Sequence, residues 1–157
     1  MKEVWLALVG AGVLLAGCQK QDAVTYDTTT YPLKRVMKNV IDVGAKPVLA
    51  AQGTYTDATG EHPNTPTTED GWMAAESGAI IVAEAANLLK LPGYRKDEAE
   101  WSKFADVLHD RAVDAQKAIA SRDAKAIEQA GSDLYQVCED CHAHYARKRK
   151  EAAAKAG

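Results

Sequence analysis

Between Tyr94 and Ala156 the chain contains no proline and a single glycine, Gly131, while Ala, Glu and Lys recur throughout. A run of that length with so few breakers is suited to long helices, because Ala, Glu and Lys are strong helix formers and tight turns call for Gly or Pro. The five prolines and eleven glycines of the 157 residues gather early and in the middle instead. Hydrophobic content is 46%, but aromatics make up only 6% with one Phe, so a core must come from Ala, Leu, Val and Ile. These features predict one all-α domain. A net charge of -3 provides no bulk attraction for a polyanion and excludes a dedicated nucleic-acid binder.

Apolar periodicity divides the chain into four helices. Val36, Met37, Val40, Ile41, Gly44 and Val48 follow helical spacing and predict a first helix over 33–51, with Pro47 bending it or ending it early. Residues 52–67 hold two glycines and two prolines among Thr and Asp and predict a long loop. Thr67 or Thr68 caps a second helix, with Glu69 and Asp70 in its first turn and Trp72, Ala75, Ala79, Ala83 and Ala86 on one face; Pro92 and Gly93 stop it. Asp97 with Glu100 resembles a capping box and starts a third helix through Trp101, Ala105, Leu108, Ala112, Ala115 and Ile119, ending near Ser121. Asp123 opens a fourth through Ile127, Ala130, Leu134, Cys138, Cys141 and Tyr145. The expected architecture is an antiparallel up-and-down four-helix bundle over 32–150, followed by a tail at 151–157. Gly131 in mid-helix marks close approach of another group.

The N-terminus stands apart. Residues 4–15 form an apolar run too short to span a bilayer but suited to the h-region of a secretory signal at 1–17. The run ends in Leu15-Ala16-Gly17-Cys18, which resembles the lipobox of a bacterial lipoprotein. That resemblance makes Cys18 the lipidated first residue and the polar, Thr-rich stretch 18–31 a flexible tether. Export to the periplasm and anchoring in a membrane are the expectations. Gln19 after Cys18, rather than Asp, resembles outer-membrane sorting.

The other two cysteines fall in Cys138-Glu139-Asp140-Cys141-His142. With 3 Cys and 4 His in the chain, this string arises by chance in only about one such sequence in a thousand. Cys-x-x-Cys-His is the signature of covalent c-type haem attachment, in which two thiols become thioethers to the porphyrin and the imidazole reaches the iron. On a helix the three residues lie at i, i+3 and i+4 and share one face. Three other uses of these residues compete. A redox dithiol stands at a helix N-terminus after a strand, where its thiol pKa falls, and no strand pattern precedes this string. A zinc site needs four ligands, and His109 or His144 would have to be recruited without a second paired-ligand knuckle. A disulfide three residues apart in a helix has poor geometry.

The sixth iron position falls to Met37, on the apolar stripe of the first helix, although a Met there is also ordinary packing filler. Met73 is the other internal Met. His62 lies in the Pro-rich loop and His109 one step off its stripe, while His144 is on another face from His142. Arg147, Lys148, Arg149 and Lys150 form a basic run, a solvated helix end or a docking patch.

A C-terminal Cys-x-x-Cys-His on a four-helix pattern resembles the class II c-type cytochromes, the cytochrome c′ and cytochrome c-556 group. Arg35-Val36-Met37-Lys38, Glu84-Ala85-Ala86-Asn87-Leu88-Leu89 and Tyr135-Gln136-Val137 carry the rest of the resemblance. It implies one haem c held by Cys138 and Cys141, His142 as proximal ligand and Met37 near the distal position. The c-556 type uses Met and is six-coordinate, whereas cytochrome c′ keeps an open iron. The expected function is one-electron transfer between envelope redox proteins, with no catalytic constellation, no enzyme activity and the oligomeric state open to a homodimer. The competing readings are a five-coordinate protein binding NO or a similar gas, and a haem-free envelope interaction lipoprotein.

Overall fold

The computed structural model describes residues 25–97 and 99–156, so the signal segment 1–17, Cys18 and the first part of the tether lie outside the described residues. The chain is predominantly helical with one small sheet. Its elements are α1 (Leu33–Val36), a π-helical turn (Met37–Ile41), α2 (Asp42–Ala50), β1 (Thr54–Asp57), β2 (Gly60–Pro63), α3 (Glu69–Leu89), α4 (Ala99–Ser121) and α5 (Ala124–Ala156). No helix among the described residues is long and apolar enough to cross a membrane.

α1, the π turn and α2 together form the single helical rod expected over 33–51. Pro47 sits inside α2 without ending it. The ring denies a hydrogen bond to the carbonyl four residues back, at Val43, but Val43 is 53% exposed and water can satisfy that group. The π turn has no signature in residue propensity; it widens the helix at Met37 and Ile41.

The predicted loop 52–67 contains instead an antiparallel hairpin in which Thr54 pairs with Pro63 and Asp57 with Gly60. Thr54, Tyr55 and Thr56 favour extended backbone, and the Asp57 carboxylate closes the turn by accepting from the amide and hydroxyl of Thr59, both at 2.7 Å. Gly60 supplies a φ of +131°. Both strands are almost wholly solvent-exposed, so the hairpin adds little to the core.

Side-chain caps start the long helices. The Thr68 hydroxyl accepts from the Gly71 amide at 3.1 Å, Asp97 Oδ1 from the amides of Glu100 and Trp101 at 3.1 and 3.0 Å, and Asp123 Oδ1 from Ala126 at 2.8 Å. Glu100 pairs with Lys103 at 2.9 Å rather than completing a capping box. α5 continues to Ala156, so the segment taken as a tail at 151–157 is helical through that residue, as its Ala-Lys-Glu composition favours.

α3 packs along α4, α4 along α5, and α2 against α3, with α2 also touching α5. One apolar cluster fills the space between them, in which Ala75, Ala79, Ala86, Ala112 and Ala115 leave room for the fully buried Val48, Val82, Ile127 and Leu134. α2 and α3 cross at two glycines. A Cβ on Gly78 would collide with the Gly44 carbonyl and lie 2.7 Å from Pro47 Cγ. Gly131 is approached by the side chain of Gln52, 2.6 Å from the position a Cβ would take.

Gly78→Ala is therefore expected to lose about 1–3 kcal/mol despite the better helix propensity of Ala, because backbone must yield. Gly131→Ala should cost less, since a loop side chain yields there. Urea denaturation of both variants tests the order.

Candidate functional site

Four separate stretches of chain meet at one apolar cleft. Met37 and Ile41 come from the π turn, Leu89 from the end of α3, Trp101, Phe104, Ala105 and Leu108 from α4, and Val137, Cys138, Cys141 and His142 from α5. Met37 and Ile41, four residues apart on the π turn, face the same space. All four residues assigned to a haem from the sequence line this cleft. Cys138 and Cys141 are half-buried free thiols, Met37 is half-buried, and His142 sits at the exposed rim.

The remaining candidates lie elsewhere. Met73 is 60% exposed and lines no part of the cleft. His62 is in the hairpin, 3.2 Å from Asp57 Oδ1, and His109 lies beside Asp110 at 3.3 Å. His144 packs against Phe104 and Tyr145, with ring centroids 5.4 and 4.9 Å away, and its Nε2 is buried without a hydrogen-bond partner. Among the described residues no group of three or more His, Cys, Asp and Glu side chains is arranged to hold a metal ion, so the recruited zinc site has no geometric support.

Burial, and then the charge of Glu139, pushes the Cys138 thiol up. Burial, with the neighbouring Cys138, pushes Cys141 up to about 11. Both thiols are neutral at pH 7, the reverse of the activated thiolate that a redox dithiol needs.

One wall is locked by a polar network. Trp101 Nε1 donates to the Leu89 carbonyl at 2.6 Å, joining α4 to the end of α3. Trp101 meets Tyr145 edge-on at 5.1 Å, and the Tyr145 hydroxyl donates to Asp97 Oδ2 at 2.9 Å. Lys148 reaches the same oxygen at 3.1 Å. Thus Asp97 caps α4 with one oxygen and holds α5 with the other. The Trp101 amide first, then Lys148 and Tyr145, hold its carboxyl down to about 2. Burial and then the Asp97 carboxylate push the Tyr145 hydroxyl well above its usual range.

The donor set fits a c-type haem: two neutral thiols one helical turn apart, an imidazole beside them and a thioether on a different helix, all against apolar walls. The enclosed space is about 50 Å³, below the roughly 300–1,000 Å³ usual for cofactor pockets. Admission of a porphyrin therefore requires the rim to open, and besides the two cysteines Met37, Phe104 and His142 are the lining side chains that are not buried. Sequence reasoning missed Ile41, Leu89, Phe104 and Val137 as cleft walls. Phe104 was within reach, because it stands three residues after Trp101 on the same face. Leu89 needed the contact between the end of α3 and α4.

Asp97 makes a specific acid signature. A carboxyl held below its ordinary 3.8 stabilises the fold fully above that value and loses its contribution as pH falls from about 4 toward 2. Asp97→Asn should lower Tm at neutral pH, with the gap to wild type narrowing through that window; a gap independent of pH would show that its charge is not involved. No family model, curated protein or solved structure matches the chain.

Proposed function

We propose that the chain is a monohaem c-type cytochrome of the class II, c-556-like type, carrying single electrons at the bacterial cell envelope. The observation that carries this reading is the convergence of Met37 with Cys138, Cys141 and His142 on one apolar cleft, across a sequence separation that no local pattern enforces. The antiparallel up-and-down four-helix bundle belongs to the proposal, and the packing order of α2, α3, α4 and α5 is what supports it.

Cys138 and Cys141 would hold the group as thioethers, and the His142 imidazole and the Met37 thioether would be its iron ligands. Haem bound there supplies a one-electron iron couple. The residues around it limit what that couple does. Ile41, Leu89, Leu108 and Val137 keep water from the cleft, and a thioether ligand from Met37 would favour the reduced state and raise the potential. The Trp101, Asp97 and Tyr145 network holds α4 against α5, which keeps reorganisation small. His142 at the rim places the cleft's edge near solvent, where a transient redox partner can approach. Export, the lipid at Cys18 and an outer-membrane location complete the reading and rest on the N-terminal sequence.

The test is the absorption spectrum of protein made with haem-maturation machinery, oxidised and reduced, for wild type and Met37→Ala. A low-spin wild type with a Met-to-iron charge-transfer band that the mutation abolishes is expected. A high-spin wild type unchanged by the mutation would replace this reading with a gas-binding protein. A protein that purifies colourless would leave the haem-free envelope lipoprotein.

A further inference from the structure

A second groove, about 760 Å³, opens between the first turns of the Met37-bearing rod and the end of α3, and shares no lining residue with the haem cleft. Lys34, Arg35 and Lys38 line it beside Tyr31, Val40 and Leu88, and among the described residues no acidic side chain does. All three cations are exposed and none is ion-paired among the described residues. The two exposed apolar members are substantial, Tyr31 at 60% and Leu88 at 41%. On a chain of net charge -3, three adjacent unpaired cations form a local field of the opposite sign.

The groove also lies where the chain enters the fold. The Tyr94 hydroxyl donates to the Tyr31 carbonyl at 3.0 Å and ties that entry to the loop after α3. Lys148 joins the same loop through Asp97, which brings the basic stretch Arg147–Lys150 of α5 to this end of the molecule. From Cys18 to Tyr31 is thirteen residues, which can reach at most ~45 Å. A lipid at Cys18 therefore keeps this cationic end within reach of the membrane surface.

We propose that the groove docks on an anionic lipid surface, with headgroup phosphates taken between Lys34, Arg35 and Lys38 and with Tyr31 and Leu88 against the interface. The proposal rests on the reading of Cys18 as the lipid anchor. Charge complementarity selects this occupant over a second copy, since two such grooves face to face would oppose cation to cation. Docking turns a loosely tethered domain into an oriented one.

The test uses the full mature holoprotein, with its intact mass reporting whether Cys18 carries lipid. Amide exchange across 31–40 is measured on vesicles of phosphatidylcholine alone and of phosphatidylcholine with phosphatidylglycerol. Exchange there should slow about tenfold or more on the anionic vesicles only, three cations each contributing at the surface. Lys34→Glu/Arg35→Glu/Lys38→Glu should abolish the effect while leaving the wild-type haem spectrum. Should that variant fail to fold, the wild type still decides, because ~0.5 M salt must reverse the protection. Equal protection on both vesicles, or none on either, overturns the proposal. Protection by inorganic phosphate alone would make the groove a free-anion site, and protection that rises with protein concentration without vesicles would make it a self-association surface; either overturns it. An unmodified Cys18 overturns the anchor reading and this proposal with it, whereas a lipidated Cys18 without selectivity for anionic vesicles overturns the proposal alone.

Discussion

Where α2 crosses α3, Gly44 and Gly78 put no side chain between the two backbones, and the helices approach until the Gly44 carbonyl and the Pro47 ring occupy the space a Cβ would need. That contact gathers Ala45, Val48, Ala75, Ala79 and Val82 into one cluster, where dispersion and exclusion of water act over the whole crossing. It also aims the rest of the rod. Residues 33–50 are helical without a break, and Met37 lies seven residues upstream of Gly44, ~10 Å along the axis. A bulkier residue at the crossing would tilt the rod and be felt at Met37 as a displacement from the α5 string. The functional geometry thus depends on two positions that touch none of the functional residues.

The opposite wall is held by directional bonds rather than by close packing. Asp97 is the hinge pin of that side, because one carboxylate starts α4 and also fastens Tyr145 and Lys148 of α5. Trp101, in the first turn of α4, then ties back to Leu89. A carboxylate that accepts from amide, hydroxyl and ammonium together is stabilised as the anion, which is the physical content of its low pKa. The cleft is therefore apolar inside and polar at its seams.

Charge and structure are distributed unevenly along the molecule. The start of the rod, the loop after α3 and the end of α5 share one cationic end. The hairpin occupies the other, where the Gly53 amide donates to the Glu128 carboxylate near the start of α5. The apolar cleft, bounded by Met37, Leu89, Trp101 and His142, lies toward the cationic end. Any partner or surface drawn by positive charge is thereby brought to the half of the protein that holds the cleft.

Local chemistry was enough to read several features from the chain alone. Thr68, Asp97 and Asp123 announce helix starts because a short side-chain acceptor before an apolar-periodic run satisfies orphan amides wherever the helix sits. The spacing of Cys138, Cys141 and His142 puts them on one stretch of helix by the same local rule. The hairpin was hidden because Gly, Pro and Thr mark both loops and turns, and its strands bury nothing that would impose an alternating pattern. The π turn was hidden because no residue type prefers it, so it comes only from how the rod must pack. The apolar stripe of the first helix already favoured Met37 over Met73, but tertiary structure alone decided that it meets the cysteines in one cleft, and that Gly131 accommodates Gln52. It also decided that Leu89 closes the cleft. A sequence states what each residue can do with its neighbours along the chain; which distant residue it meets depends on how whole helices cross, and that is settled by the summed packing of the core.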